Sequence, residues 1–209
     1  MALIFRPDLA DSLGLVAMGG DLRPATLLRA YRAGVFPWYT LNEPILWWSP
    51  DPRAIFELDG LWLSRRLART IRSGKFHLTI NRAFDDVIKG CADRESTWIT
   101  PDMFEAYQRL HRMGHAHSIE AWQGDELAGG VYGVALGGFF AGESMFHRVR
   151  DASKVALAYL LEYLRIRGFT LFDTQVATEH TARMGAVEIP RKDYLRRLQK
   201  ALDQNVTFV

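Results

Sequence analysis

Apolar and polar positions change period several times along the chain, and each change marks an element. The first fifty residues keep neither period for long. A short helix is expected from about Pro24 to Arg32, stopped by Gly34. The following stretch, VFPWYTLNEPILWWSPDPRAI, is rich in proline and tryptophan. Proline excludes regular helix and central strand, so this stretch is expected to be irregular and held by its neighbours. A small N-terminal domain over residues 1–52 and a larger one over residues 53–209 follow from that reading.

Beyond Pro52 the periods are regular. LSRRLARTIRSG reads as a helix with Ser64 as N-cap and Gly74 as stop, and FHLTI as a strand. Asn81 is placed to cap RAFDDVIKGCAD. Thr100 at N-cap and Pro101 at N1 begin a helix through DMFEAYQRLHRM to Gly114. HSIEAWQ, a GDE turn and LAGGVYGVALGG predict an antiparallel hairpin, with FFAGESMF as a further strand. Asp151 is placed to cap the long apolar helix ASKVALAYLLEYLRIR, ended by Gly168. FTLFDTQV then reads as a strand, TEHTARMG as a short helix and DYLRRLQKAL as the last helix.

This order predicts an α+β fold with a mixed, largely antiparallel sheet flanked by helices. A strand reached after a long helix lies parallel to its neighbour through a right-handed crossover. The two strands concerned end in GES and DTQ, where ligand crevices open in such sheets.

Composition and charge narrow the class. The 209 residues are 48% hydrophobic and 24% charged, the profile of an ordinary water-soluble globular protein. One cysteine, Cys91, excludes an intramolecular disulfide framework and fits a reducing compartment. The start MALIFRPDLADSLG has no secretory character, and no apolar run approaches the ~20 residues of a membrane span. A cytoplasmic monomer without a membrane association is the expectation. A net charge of +2 announces no nucleic-acid partner, but its distribution is uneven. Arg65, Arg69 and Arg72 share a helical face and Lys75 follows, a basic stripe suited either to phosphates or to plain solvation. Arg191, Lys192, Arg196, Arg197 and Lys200 form a second group with the same two readings.

The candidate chemistry lies at the two strand ends. In FFAGESMFHR, Glu143 is a carboxylate among aromatics and Met145, costly unless paired. Alternation in TLFDTQV puts Asp173 and Gln175 on one face. Two carboxylates and an amide converging in restricted solvent suit proton handling. The alternative is that each carboxylate caps a loop or pairs with an arginine such as Arg148 or Arg183. His115 and His117 lack further ligands at zinc-type spacing, so no metal is expected. Ser144 lacks the G-x-S-x-G context of a nucleophile elbow. No phosphate-cradling loop is present, and the glycines of GGVYGVALGG suit close strand or ligand approach. The stripe Leu157, Leu160, Leu161 and Leu164 packs a core or also floors an apolar pocket.

The strings GGDL, GVFPWY, ILWWSPDPRA, TWIT, GHAHSIE, GESMF and EIPRKDYL follow one another from about Gly19 to Leu195. In this order they resemble the bacterial leucyl/phenylalanyl-tRNA–protein transferase family. The resemblance implies a GNAT-like acyltransferase fold behind a small N-terminal domain, with no cofactor. It implies transfer of leucine or phenylalanine from aminoacyl-tRNA to proteins or peptides that begin with arginine or lysine, in an N-degron pathway. Asp173 and Gln175 are implied as a proton relay in which Gln175 orients the amine and Asp173 or a tRNA ribose hydroxyl accepts the proton. For that reaction Glu143, whose counter-ion is missing from the local sequence, is expected in the catalytic site as partner of the acceptor's cationic first residue, through its side chain or its amino group. The implied amino-acid pocket is Val131, Leu157, Leu160, Leu164 and Phe172. Trp38 and Trp98 are implied against the terminal adenosine or the acyl group, and Arg65, Arg69, Arg72 and Lys75 against the tRNA. Two rival readings remain, an acyl-CoA-dependent enzyme on the same fold and a non-catalytic tRNA- or peptide-binding module. The first should carry a glycine-rich loop where FHRVRDASK stands; the second should have lost Asp173 or Gln175.

Overall fold

The computed structural model describes residues 3–93 and 97–209. The N-terminal stretch is less irregular than expected. β1 (Leu15–Met18), β2 (Phe36–Pro37) and β3 (Leu46–Trp48) form a small antiparallel sheet in the order β1-β3-β2. Proline is tolerated because Pro37 lies on the two-residue edge strand β2, while the central strand is LWW. Between β1 and β2 runs α1 (Pro24–Arg32), whose N1 proline needs no helical acceptor.

Among the described residues, seven strands form the main sheet. β4 (Arg53–Phe56) enters it directly after the proline-rich stretch. α2 (Arg65–Arg72) follows, with Ser64 Oγ accepting from Leu67 N as expected of an N-cap. Next come β5 (His77–Ile80), α3 (Phe84–Ala92) and α4 (Pro101–Arg112), the last with Thr100 Oγ1 accepting from Met103 N. Asn81 does not cap α3: its Oδ1 accepts from Ser118 N, and α3 starts only at Phe84. β6 (Ala116–Gln123), β7 (Glu126–Leu136) and β8 (Phe139–His147) form the expected meander, and α5 (Ala152–Arg167) crosses to β9 (Leu171–Gln175). The chain closes with α6 (Glu179–Ala182), β10 (Val187–Ile189) and α7 (Arg191–Leu202). β10 is an element that the periodicity did not announce, since three residues are too few for an alternation.

The sheet order is β10-β4-β9-β8-β7-β6-β5. Among the described residues its one parallel pairing is β8 with β9, as the crossover through α5 requires. The sheet is therefore mixed and largely antiparallel, with helices on both faces. Phe84, Tyr107 and Leu198, from α3, α4 and α7, join Phe139 and Ala141 of β8 in one core, which also holds Tyr31 and Trp47 from the small sheet's region. Leu67 of α2 and the α5 leucines join Phe140 and Phe172 in the other. Alternate residues of one strand thus feed opposite cores.

Two glycines of β7 let helices close on the sheet from both sides. A Cβ on Gly129 would stand 2.7 Å from the Phe146 carbonyl oxygen and 2.8 Å from the Ala152 methyl group of α5. One on Gly130 would stand 2.9 Å from Val87 of α3. Close helix approach is the use these glycines serve here. Asp151 occupies the N-cap position of α5, yet its carboxylate makes no cap bond and instead takes both terminal nitrogens of Arg66, at 2.5 and 2.9 Å. That contact pins α2 to the start of α5. Gly129→Ala is expected to lower the unfolding free energy by about 1–3 kcal/mol through overpacking. Urea titration measures this, and an unchanged midpoint would mean that α5 yields freely.

Candidate active site

The β8–β9 ladder ends at the pair Ala141↔Asp173, and the site lies just beyond that point. On the other side of β8, Gly142 pairs with Gly133 and Ser144 with Tyr132, so Glu143 is an extra, unopposed residue. This is a β-bulge, a device that re-aims a side chain. Only glycine fits opposite it, since a Cβ on Gly133 would meet the Ala141 carbonyl oxygen at 2.1 Å. Glu143 turns inward to a buried position between α1 and α4. Its Oε1 accepts from Tyr31 Oη at 2.8 Å and from Gln175 Nε2 at 3.0 Å, and its Oε2 from Tyr107 Oη at 2.9 Å. Burial raises the Glu143 pKa from 4.5 to about 7, against the lowering effect of these three donors. The pairing that the sequence demanded is thus made by phenols and an amide.

Asp173 is placed differently. Its Oδ1 accepts from Arg53 Nε at 2.9 Å and from the Gln175 backbone N–H at 2.8 Å. Its Oδ2 accepts from Arg53 Nη2 at 2.7 Å and from Tyr194 Oη at 2.8 Å. Both members of the pair are 1% exposed. The Arg53 guanidinium lies over the rings of Phe36 and Tyr194, 4.8 and 4.4 Å from their centroids, and donates to the Gly34 carbonyl. Burial opposes the Arg53 charge, but Asp173, Tyr194 and Glu143 together outweigh it, leaving the Arg53 pKa raised. A carboxylate offers about four lone-pair sites, and all four of these are taken. The expectation that Asp173 accepts the reaction's proton does not fit this geometry. Its pairing with an arginine was foreseen as an alternative, but the partner is Arg53 rather than Arg148 or Arg183.

What Asp173 holds is Gln175. Gln175 has a φ of +67°, a left-handed conformation uncommon outside glycine. The bond from its N–H to Asp173 supports that turn, and the turn breaks the strand alternation. The Gln175 amide therefore reaches Glu143 while Asp173 faces Arg53.

Two cavities adjoin at Glu143. The larger, about 390 Å³, is lined by Phe56, Val131, Met145, Leu157 and Phe172 on its apolar side and by Thr174, Thr178, His147 and His180 elsewhere. Of the expected amino-acid pocket, Val131, Leu157 and Phe172 line it. Leu160 and Leu164 do not: they are 1% and 0% exposed and belong to the core beneath, because only the first turns of α5 reach the strand ends. The smaller cavity, about 240 Å³, is lined by Phe36, Pro37, Trp38, Trp98 and Gln175. Both include Glu143, Thr174, Val176 and Thr178. Trp38 and Trp98 thus line one cavity, and Trp38 remains 48% exposed.

The basic groups separate clearly. Arg65, Arg69 and Arg72 on α2 are exposed, and Lys75 lies over the ring of Phe76. Arg66, their neighbour, is committed to Asp151. In the second group Arg197 pairs with Glu57, Arg196 with Asp193, and Arg191 donates to the Ser49 carbonyl. That group is largely structural.

Residues 55–199 match the leucyl/phenylalanyl-tRNA protein transferase family, and residues 20–51 match that family's N-terminal domain. The chain belongs to the leucyl/phenylalanyl-tRNA protein transferase family. A relative of that name from Anaeromyxobacter sp. (strain Fw109-5) is 57% identical over 203 residues, 95% of this chain and 86% of the relative. Another, from Solidesulfovibrio magneticus, is 55% identical over 95% of this chain and 82% of its own length. Among solved structures, the chain is similar to a GCN5-related N-acetyltransferase from Kribbella flavida, with a TM-score of 0.44, 12% identity, and 80% of this chain and 61% of that one covered.

Three residues of this family member's site were not legible as such in the sequence. Tyr31 and Tyr107 sit at core positions of amphipathic helices, where nothing separates them from packing residues. Arg53 left a trace, as a charge opening the buried run RAIF.

Arg53→Met is expected to cost about 3–5 kcal/mol by stranding a buried carboxylate. The double exchange Arg53→Met, Asp173→Leu should recover most of that, and urea unfolding of both variants measures the difference. A second expectation concerns pH. Glu143 holds its proton more tightly in the folded chain, so its contribution to stability is complete below pH 4.5 and lost as pH rises to about 7. Relative to Glu143→Gln, the native chain should lose stability across that window. A pH-independent difference in unfolding free energy would contradict the raised value.

Proposed function

We propose that this chain transfers leucine or phenylalanine from the 3′ end of a charged tRNA to the N-terminal amino group of an acceptor protein, a reading supported by its relatives' name, leucyl/phenylalanyl-tRNA–protein transferase. The observation that supports this most directly is the meeting, at Glu143 and Thr174, of an apolar cavity with a tryptophan-flanked one. The first suits a leucine or phenylalanine side chain against Val131, Leu157 and Phe172. The second suits the terminal adenosine, whose base gains about 1–3 kcal/mol by stacking on an indole. With both seated, the ester carbonyl that joins them lies at the junction. Aminolysis of that ester is downhill, so the protein's main task is alignment, worth up to ~7–11 kcal/mol in ideal cases.

The acceptor's first residue is arginine or lysine in this reading, and the cation meets the acidic junction at Glu143. Product proteins would enter an N-degron pathway in the cytoplasm, with the enzyme acting as a monomer. Among the described residues no helix is long and apolar enough to cross a membrane. Arg65, Arg69, Arg72 and Lys75 hold the tRNA by its phosphates, without reading its sequence. Asp173 serves by holding Gln175 in its turn, and Gln175 by orienting Glu143 and the amine.

Transfer of radiolabelled leucine from charged tRNA to peptides differing only in their first residue tests the reading. Transfer to peptides beginning with Arg or Lys, slowed by Leu157→Trp through loss of the pocket, is the expected result. Transfer to Asp- or Glu-starting peptides would overturn the acceptor assignment, and tRNA binding without any transfer would favour a binding module. Replacing Arg65, Arg69 and Arg72 together by alanine should reduce the slope of log affinity against log salt by about 2–3. An unchanged slope would remove the stripe from the tRNA interface.

A further inference from the structure

We infer that Glu143, Tyr31 and Tyr107 form a hydrogen-bonded ring that lacks one proton, and that this ring takes the proton shed by the attacking ammonium group. The inference rests on the transfer reading for the source of that proton, but the ring itself is a matter of counting.

Three oxygen–oxygen contacts close the ring. Tyr31 Oη lies 2.8 Å from Glu143 Oε1, Tyr107 Oη lies 2.9 Å from Glu143 Oε2, and the two phenol oxygens lie 2.5 Å apart. The last is at the short end of the O–H···O range. Each contact needs one proton, and the phenols bring only two. When the carboxylate is ionised both phenols donate to it, and no proton stands between their oxygens. One added proton completes the ring: Glu143 Oε2–H donates to Tyr107, Tyr107 to Tyr31, and Tyr31 to Glu143 Oε1. Gln175 continues to donate to Oε1 in either state.

The other groups facing the ring do not compete for this proton. Asp173 of β9 is filled by donors, and Arg53 of β4 matches its charge. Tyr132 of β7 stands edge-on to Tyr107, with ring centroids 5.6 Å apart. Burial and the Glu143 charge hold the Tyr31 and Tyr107 phenols well above their usual 10, so exchange with substrate occurs at the carboxyl. The rise of Glu143 to about 7 agrees with a group that gives and takes a proton near neutrality. Glu143 is also the one acid lining both cavities among the described residues, whereas His147 and His180 line the larger cavity alone.

The step balances. The acceptor's R–NH₃⁺ gives one proton to Glu143, and the resulting amine attacks the ester carbonyl. A C–N bond forms and the C–O bond to the ribose breaks. A second proton of the nitrogen passes to the leaving ribose oxygen, the third remains on the new amide, and Glu143 releases its proton to solvent. Tyr31 and Tyr107 are positioning residues in this scheme.

Single-turnover transfer to an Arg-starting peptide, measured against pH, reads the ring in action. Glu143→Gln should lower the rate by ~10²–10⁴-fold and abolish an inflection near pH 7. Tyr31→Phe and Tyr107→Phe should each slow the step by about tenfold and displace that inflection, with KM unchanged. The Tyr31→Phe, Tyr107→Phe double variant should lose less than the product of the two single losses, because either one opens the ring. Multiplicative losses, or losses carried by KM, would refute the ring. An infrared pH titration of the substrate-free protein judges it independently of activity. A neutral carboxyl C=O band should grow on acidification through about pH 7, be absent in Glu143→Gln and shift in either phenylalanine variant. No such band would overturn the inference even if transfer occurs, while a band in a chain that transfers nothing would overturn only the transfer reading.

Discussion

The Arg53–Asp173 pair is the contact on which the rest of the site depends. Burying two charges is expensive, and a pair of this kind adds little stability beyond what well-packed apolar residues would supply. Its value here is geometric. One guanidinium joins β4, β9, the turn after α1 through the Gly34 carbonyl, and α7 through Tyr194. The planar fork tolerates few arrangements, so the small sheet and the main sheet meet at a defined point. From that point Asp173 supports the left-handed Gln175, and Gln175 reaches the bulge at Glu143.

The two carboxylates of the site are thereby given opposite tasks. Asp173 faces the Arg53 guanidinium and has every lone pair occupied, so it holds its neighbours in place. Glu143 faces phenols and an amide in a buried place, and its proton is poised near neutrality. Different surroundings are how one site can give two acids different roles. The bulge makes this possible, because a regular β8 would carry its alternation past Gly142 without the extra residue that turns toward α1 and α4.

Much of the scaffold was legible. The caps at Ser64 and Thr100, the meander, the apolar crossover helix and the parallel strand after it all follow from local periodicity and end signals. The misreadings share a cause. Asn81 and Asp151 are good capping residues placed where caps are wanted, yet Ser118 N and Arg66 claim their side chains. Leu160 and Leu164 share the Leu157 stripe, but a stripe does not say which of its turns reaches a cavity. The proline-rich stretch formed no helix, yet it supplies the central strand of the small sheet, because its prolines fall on the edge strand β2 and between strands rather than within β3.

By itself, the sequence determined the helices and the longer strands beyond Pro52, that β9 would run parallel to β8, and that GES and DTQ would end side by side. These are consequences of local period, turn chemistry and handedness, all readable within about twenty residues. Only the tertiary structure decided who pairs with whom. Arg53 meets Asp173 across 120 positions and Tyr31 meets Glu143 across 112, and a polar atom at a core position carries no local mark of its distant partner. The division of roles between Asp173 and Glu143 follows from those long-range contacts, because a carboxylate's protonation is set by the donors and charges around it and not by its neighbours in the chain.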